Sequence, residues 1–188
     1  MIKKNAIEPF IVKLGGYESK LRKLIEPILD SKEYALVWIK ISDRQNNSVV
    51  TFFIEKKDFK KNITLSEIQH VSKFLNDICA VSFNEMGFFK QGYTLEVSSP
   101  GIDCILSKRS HFENFLGKLI LIKTISGHNL SNKFFGILRT ITNDGVELEN
   151  KRNKVNIFII FKAITFAKSV WQFEKLRNKK KIARESHK

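Results

Sequence analysis

The residues best suited to chemistry in this sequence are closely spaced cations in its second half. Lys151, Arg152 and Lys154 fall on one short polar turn, and the preceding predicted strand carries Lys133 and Arg139. Six of the seven basic residues in 171–188 are further candidates: Lys175, Arg177, Lys179, Lys180, Lys181 and Arg184. Ammonium and guanidinium groups bind phosphates and gain affinity by releasing condensed counterions. The spacing therefore favours a surface for a polyanion, with nucleic acid as the first candidate.

The net charge supports the same interpretation. Lys and Arg number 33 against 19 Asp and Glu, which gives a formal net charge of +14 at pH 7. Residues 1–98 contribute +3 of this charge and residues 99–188 contribute +11. The chain is also rich in Lys, Ile, Asn and Phe, so an AT-rich genome and a merely solvated surface are alternative explanations. The uneven split favours a function, because a compositional bias acts on both halves alike.

Aromatic residues among these cations offer a second kind of contact. Phenylalanine rings can stack unpaired bases, as they do in small RNA-binding barrels. The second half contains five such candidates: Phe134, Phe135, Phe158, Phe161 and Phe166. Strand alternation predicts that most of them lie in the core, so only an exposed ring would take this role.

Residue types that carry catalysis are present but poorly arranged. Glu96 and Asp103 are the one carboxylate pair that suggests a hydrolase or nuclease, and no His accompanies them. The four histidines and two cysteines lack metal-ligand spacing, and no glycine-rich phosphate loop occurs. Cys104 is close to Lys108 and Arg109, which favour a thiolate, but nothing marks it as a nucleophile. We predict an inert thiol and no catalytic residue, metal or cofactor.

Length and composition set the class of protein. The chain has 188 residues, of which 43% are apolar and 28% charged, as in ordinary globular domains. This length suits one mid-sized domain or two small ones. No apolar run approaches the about 20 residues of a membrane helix, and two cysteines suit a reducing compartment. We therefore expect a soluble, cytoplasmic protein without a membrane segment.

Two helices are expected in the first half. Apolar residues at helical spacing predict a helix that begins at Tyr17 and that kinks or ends near Pro27. The capping-box sequence Thr64-Leu65-Ser66-Glu67 predicts a second helix over 65–79. A single helical turn is expected over His111–Leu116.

Strands are expected wherever β-branched and aromatic residues alternate with polar ones. The pattern predicts strands over Tyr34–Ile41, Val49–Ile54, Tyr93–Val97, Lys118–Ile125, Lys133–Thr142, Val146–Glu149, Val155–Phe161 and Ala163–Lys168. The first two pair most simply as an antiparallel hairpin. The last five are short and separated by turn residues, which predicts a small closed barrel.

One segment resembles a known family. The run Tyr93-Thr94-Leu95-Glu96-Val97-Ser98-Ser99-Pro100-Gly101-Ile102-Asp103 resembles the signature of the bacterial ribosome maturation factor RimP family, in which this strand closes the first domain. Supporting similarities are Leu24-Ile25-Glu26-Pro27, Ile63-Thr64-Leu65, Phe112, Phe115 and Gly117. The resemblance covers about residues 17–168. The chain departs from it at Cys104-Ile105-Leu106, where family members commonly have Arg-Pro-Leu, so any contact made by that arginine is absent here.

The resemblance implies an α+β fold. An N-terminal α/β domain with two helices on a three-stranded sheet would precede a small SH3-like or Sm-like β-barrel. We accordingly divide the chain into a tail or docking arm (1–16), an α/β domain (17–100), a barrel domain (101–170) and a basic tail (171–188). In the signature, Tyr93, Leu95 and Val97 are expected to fill a core, while Ser98 to Gly101 form the interdomain turn.

The resemblance also implies a function. Family members bind free small ribosomal subunits, and their second domain is associated with a ribosomal protein near the decoding centre. We therefore expect a monomeric, non-enzymatic factor that matures the small (30S) subunit through contacts with rRNA and a ribosomal protein. No membrane, cofactor or small-molecule substrate is expected. A general Sm-like module acting on free RNA is the alternative.

Overall fold

The structure is a computed structural model that describes residues 10–12, 14–44, 47–58, 61–85, 89, 92–101, 104–125, 131–150 and 153–170. The regular elements of this part of the chain are α1 (Gly16–Ser31), β1 (Tyr34–Arg44), β2 (Asn47–Lys56), α2 (Leu65–Glu85), β3 (Tyr93–Ser98), α3 (Arg109–Asn114), β4 (Leu119–Ile125), β5 (Ser131–Ile141), β6 (Gly145–Glu149), β7 (Asn156–Ile160), a 3-10 turn (Phe161–Ala163) and β8 (Ile164–Ser169). They form an α+β fold with two separate sheets.

The first sheet has the strand order β1-β2-β3. β1 and β2 form the predicted antiparallel hairpin, with Tyr34 opposite Lys56. β3 runs parallel to β2, because the long α2 connection carries the chain back to the same end of the sheet. The core of this half consists of buried side chains from α1, the sheet and α2: Leu21, Ile25, Leu29, Leu36, Ile39, Val50, Phe52, Ile54, Val71, Leu75, Cys79 and Phe83.

Both long helices extend further than expected. α1 continues through Pro27 to Ser31, so of the two predicted alternatives, a kink or an end near this proline, the end is wrong and the kink stays a prediction. Pro27 is exposed, and water can bond the carbonyl that loses its partner, while Leu29 is fully buried beyond it. α2 runs to Glu85 rather than to residue 79, because Phe83 lies four residues after Cys79 and extends the buried stripe.

The capping box at the start of α2 is formed. A Glu67 carboxylate oxygen accepts hydrogen bonds from the Thr64 backbone N–H and hydroxyl at 2.8 Å each, and Lys56 Nζ lies 2.8 Å from the other oxygen. The Glu67 N–H donates in return to Thr64 Oγ1 at 3.3 Å. Lys56 first, and then Thr64, lower the pKa of Glu67 from 4.5 to about 2.

This capping box predicts an acid-sensitive contribution to stability. Because the pKa of Glu67 is lower in the folded state, its contribution is present above about pH 4.5 and is lost as the pH falls towards 2. The free energy of unfolding of Glu67→Gln should therefore fall less steeply than that of the wild type as the pH decreases across this interval. Urea denaturation at several pH values measures this slope. Glu18→Gln, on α1, is the control. Equal slopes for Glu67→Gln and the wild type would contradict the role of the carboxylate.

The second sheet has five antiparallel strands in the order β7-β6-β5-β4-β8. Its buried core is made of Val12, Leu106, Phe112, Ile120, Ile122, Leu138, Val146, Leu148, Ile159, Phe161, Ile164 and Ala167. Each of the five predicted strands is present, with ends shifted by one or two residues. No strand pairing joins β7 to β8 within the described residues, so the closed barrel stays a prediction.

Close packing between β5 and β6 gives a test of this sheet. A Cβ added at Gly136 would lie 2.5 Å from the backbone oxygen of Glu149, which cannot move without disturbing the ladder. We expect Gly136→Ala to lower the free energy of unfolding by about 1–3 kcal/mol, the usual cost of overpacking. Gly16→Ala is the matched control, because no atom lies within 4 Å of its added Cβ. Equal stability of the two variants in urea would contradict this packing.

The N-terminal residues Phe10 to Val12 pack between the two halves. The Ile11 N–H donates to the Ser107 carbonyl at 2.8 Å, and Val12 is buried in the second core. Phe10 stacks on Trp38 of β1 with ring centroids 6.4 Å apart. These three residues therefore contact both halves. Within the described residues, none of the helices is both long and apolar enough to cross a membrane.

Candidate functional site

The signature strand β3 lies at the edge of the first sheet, beside β2. Tyr93, Leu95 and Val97 pack against the first core. Glu96 points the other way, where its carboxylate accepts a hydrogen bond from Thr51 Oγ1 at 2.9 Å. Asp103, the other carboxylate of the hydrolase hypothesis, lies outside the described residues.

The turn that follows β3 joins the two sheets. Ser98 Oγ donates to the Ser99 carbonyl at 3.2 Å, and Cys104 Sγ donates to the Gly101 carbonyl at 3.3 Å. Gly101 has a φ of 70°, a left-handed conformation that side chains other than glycine rarely adopt. Pro100 and Gly101 thus set the direction in which the chain enters the second half.

Three residues after this turn hold the halves together, and we call them the junction residues: Ser107, Lys108 and His111. All three are buried. The Ser107 hydroxyl donates to the Val37 carbonyl in β1. Lys108 Nζ lies 3.5 Å from Glu26 Oε1 of α1, and His111 Nε2 lies 3.0 Å from Glu55 Oε1 of β2. Each of these contacts therefore joins the second half of the chain to an element of the first half.

The surroundings of His111 fix its role. Its Nδ1 accepts hydrogen bonds from the backbone N–H groups of Ser107 and Lys108, at 3.2 and 3.4 Å. Nδ1 therefore carries no proton, and Nε2–H is the donor to Glu55. His111 is a bridge between the halves. No group of three or more His, Cys, Asp and Glu side chains is placed to bind a metal within the described residues.

The pKa of Cys104 is raised, first by burial and then by the nearby Glu55. A raised pKa keeps the thiol protonated and weakly nucleophilic, as predicted for an inert cysteine. Burial also raises the pKa of Cys79, to about 12. Lys108, which we considered as a cation that favours the Cys104 thiolate, contacts Glu26 instead.

A cleft of about 730 Å³ opens beside the turn that follows β3 and includes Ser99, Pro100 and Gly101 in its lining. It also contains four lysines: Lys56, Lys57, Lys61 and Lys118. Three of them are ion-paired with carboxylates, since Lys56 contacts Glu67, Lys57 contacts Asp30 and Lys61 contacts Asp58. The cleft therefore carries little uncompensated charge.

The structure separates the basic residues that the sequence suggested. Lys133 is exposed on β5. Arg139 and Lys154 share one acid, because Arg139 Nη2 lies 2.6 Å and Lys154 Nζ 3.0 Å from the Glu149 carboxylate. These two cations lower the pKa of Glu149, Lys154 most strongly. Lys151, Arg152 and the six residues of the basic tail, Lys175, Arg177, Lys179, Lys180, Lys181 and Arg184, lie outside the described residues.

The prediction that most of the five phenylalanines lie in the core is wrong, because only two of them belong to the second core or pack against it. Phe161 is buried, and Phe134 packs against the second core. Phe166 is half-buried, while Phe135 and Phe158 are 46% and 53% exposed. Two rings on the second sheet are therefore open enough to meet a base.

Fold and junction together define a class of protein: an α+β protein with two small cores, a Ser-Ser-Pro-Gly turn between its two sheets and a strongly basic second half. The RimP N-terminal domain family matches residues 24–103, from α1 through the signature. This match covers 80 of the 188 residues. Over these residues, the resemblance to the RimP family inferred from the sequence is confirmed.

The junction residues give a test of the buried charge. Lys108→Met leaves Glu26 Oε1, which accepts no hydrogen bond from the described residues, without its cation. We expect the free energy of unfolding to fall by about 1–3 kcal/mol. Arg22, whose Nε lies 2.7 Å from Glu26 Oε2, limits the loss. Lys162→Met, at an exposed position, is the control.

The double variant Glu26→Gln/Lys108→Met separates the pair from its members. If the two side chains interact, the free energy of unfolding should fall less in the double variant than the sum of its decreases in Glu26→Gln and Lys108→Met. Strictly additive losses in urea denaturation would contradict a direct Lys108–Glu26 interaction.

Proposed function

We propose that this protein is a non-enzymatic factor that binds the maturing small ribosomal subunit in the cytoplasm and acts as a monomer. The observation that carries the proposal is the family match over residues 24–103. This range includes the signature residues that the structure describes, 93–101. The charge of the second half supports a partner rich in phosphate. Catalysis forms no part of the proposal.

We propose the domain division expected from the sequence, with an α/β domain over 17–100 and a barrel domain over 101–170. Two separate buried cores support this division. Support for an SH3-like or Sm-like barrel comes from the strand order: a four-strand meander, a 3-10 turn, and a last strand that returns to the first strand of the meander. Curvature that brings β7 towards β8 without pairing them would give a barrel that stays open at the edge of β7.

We propose two kinds of contact with the particle. The cations of the second half bind rRNA phosphates. The candidates are Lys133, Arg139, the basic turn that carries Lys151, Arg152 and Lys154, and the basic tail (171–188). A ribosomal protein binds at a strand edge. β7 supports this second contact, because it pairs only with β6 within the described residues and its Ile160 side chain is 49% exposed.

The mechanism is positional. By occupying its site, the protein favours one arrangement of rRNA and protein over others, which requires tighter binding to the immature particle than to the finished one. A factor with equal affinity for both particles would shift no population.

Co-sedimentation tests this function. The full-length protein is mixed with immature small subunits, mature small subunits and joined ribosomes at about 0.15 M salt, where weak attraction is partly screened. We expect enrichment on the immature particle. Equal binding to all particles and to unrelated RNA would contradict the proposal and favour a general RNA-binding module.

Charge variants extend the same experiment. Replacing Lys151, Arg152 and Lys154 by Gln should weaken binding and flatten its salt dependence, with a decrease in slope of about 0.7–0.9 for each phosphate that is no longer neutralised. The matched control removes three exposed lysines from the first half: Lys23, Lys40 and Lys73. Equal slopes for the two triple variants would exclude the basic turn from the rRNA interface.

A further inference from the structure

Three neighbouring strands of the second sheet bring together residues that are distant in sequence. In the register of β5, β4 and β8, Lys133 lies opposite Lys123, which lies opposite Phe166. In the next row on the same side, Phe135 lies opposite Leu121, which lies opposite Lys168. We call these two rows the six-residue face: Leu121, Lys123, Lys133, Phe135, Phe166 and Lys168.

The six-residue face points away from the core. The alternate residues of β4 are Ile120, Ile122 and Thr124, and all three are buried. Ala167, between Phe166 and Lys168, is also buried. Neighbouring strands lie about 4.8 Å apart and alternate residues about 6.8 Å apart along a strand, so the face spans roughly 10 Å by 7 Å between its outer Cα atoms. That area suits one or two nucleotides.

The charge of the face has a single sign. It contains three lysines and no carboxylate. Lys123 and Lys133 are directly opposite each other, an arrangement that destabilises a strand pair. Neither forms an ion pair with a described residue, and Lys123 Nζ lies 5.2 Å from the centroid of the Phe166 ring. A phosphate between the two ammonium groups would remove their repulsion.

Two rings border these cations. Phe135 is 46% exposed and makes no ring contact with a described residue, so its face is open to a planar ligand. Phe166 is held by an edge contact with Trp38, at 6.0 Å and 77° between the rings. Stacking on Phe135 requires a base that has left its duplex, whereas an intact duplex would meet the lysines alone.

We propose that the six-residue face binds unpaired RNA, with one base stacked on Phe135 and the flanking phosphates bound by Lys123 and Lys133. The proposal rests on the proposed function for the source of the RNA, which is an unpaired rRNA segment of the immature subunit. It adds a site and a chemical form of the ligand. Lys168 lies beside this site in the neighbouring row.

The first experiment uses fluorescence anisotropy with the full-length protein, a labelled single-stranded RNA of about eight nucleotides and a duplex of the same length. Phe135→Leu should weaken binding of the single strand roughly 5- to 100-fold, the range for loss of one stacked base, and leave duplex binding unchanged. Phe135→Trp should restore the affinity. Tyr17→Leu is the control, because Tyr17 is an exposed aromatic residue on α1.

The second experiment measures salt dependence. The double variant Lys123→Gln/Lys133→Gln should reduce the slope of log affinity against log salt by about 1.4, which is about 0.7 for each phosphate on a single strand. Lys23→Gln/Lys73→Gln removes the same charge from exposed positions of the first half and should change the slope less. Thermal unfolding of every variant checks that the sheet is intact.

The outcomes separate this proposal from the proposed function. Wild-type enrichment on immature subunits, together with RNA binding that ignores Phe135 and both lysines, would overturn the face and leave the function intact. Phe135-dependent binding of single strands without enrichment on immature subunits would support the face and contradict the function. Polyglutamate that binds as tightly as RNA and competes with it, regardless of Phe135, would overturn the proposal in favour of an acidic protein.

Discussion

The buried charge of Lys108 is the constraint on which the arrangement of the two halves depends. An ammonium group that leaves water loses several kcal/mol of solvation, and a nearby opposite charge must offset this loss. Glu26 of α1 supplies that charge at 3.5 Å, and the ring of Phe10 lies 5.4 Å from the ammonium group. Both partners come from the first part of the chain. A rotation that separated Lys108 from Glu26 while either group stayed buried would leave an unpaired charge out of water.

This constraint also sets which surfaces are available to a partner. The contacts of Lys108, His111 and Ser107 with the first half bury one side of the junction, so this side is not available to a partner. On another side, Trp38 of the first sheet touches Phe166 of β8 at the border of the six-residue face. An RNA strand on this face would therefore reach the first sheet as well, and the fixed junction would present both surfaces in one orientation. A flexible linker would instead require each half to bind by itself.

Local patterns in the sequence predict most of the helices and strands, but they do not predict which strands pair with each other. Strand alternation predicted β4, β5 and β8, and Lys133 was recognised as a candidate. Lys123 and Lys168 were missed, because the pairing of β8 with β4 depends on a connection that no local pattern encodes. The length of α2 was underestimated, although Phe83 follows Cys79 at helical spacing. The signature was found because its residues are contiguous, whereas the junction residues are polar and nothing local shows that they are buried.

The two basic clusters of the second sheet differ in how strongly their cations are already bound. Arg139 and Lys154 are both paired with Glu149, so a phosphate must compete with this carboxylate before either cation gains a contact. Lys123 and Lys133 face each other without a described carboxylate, and a phosphate between them removes a repulsion instead of an attraction. Sequences commonly break a rule of local consistency where function requires it. The opposed lysines break such a rule, and this favours the six-residue face as the stronger phosphate site of the two.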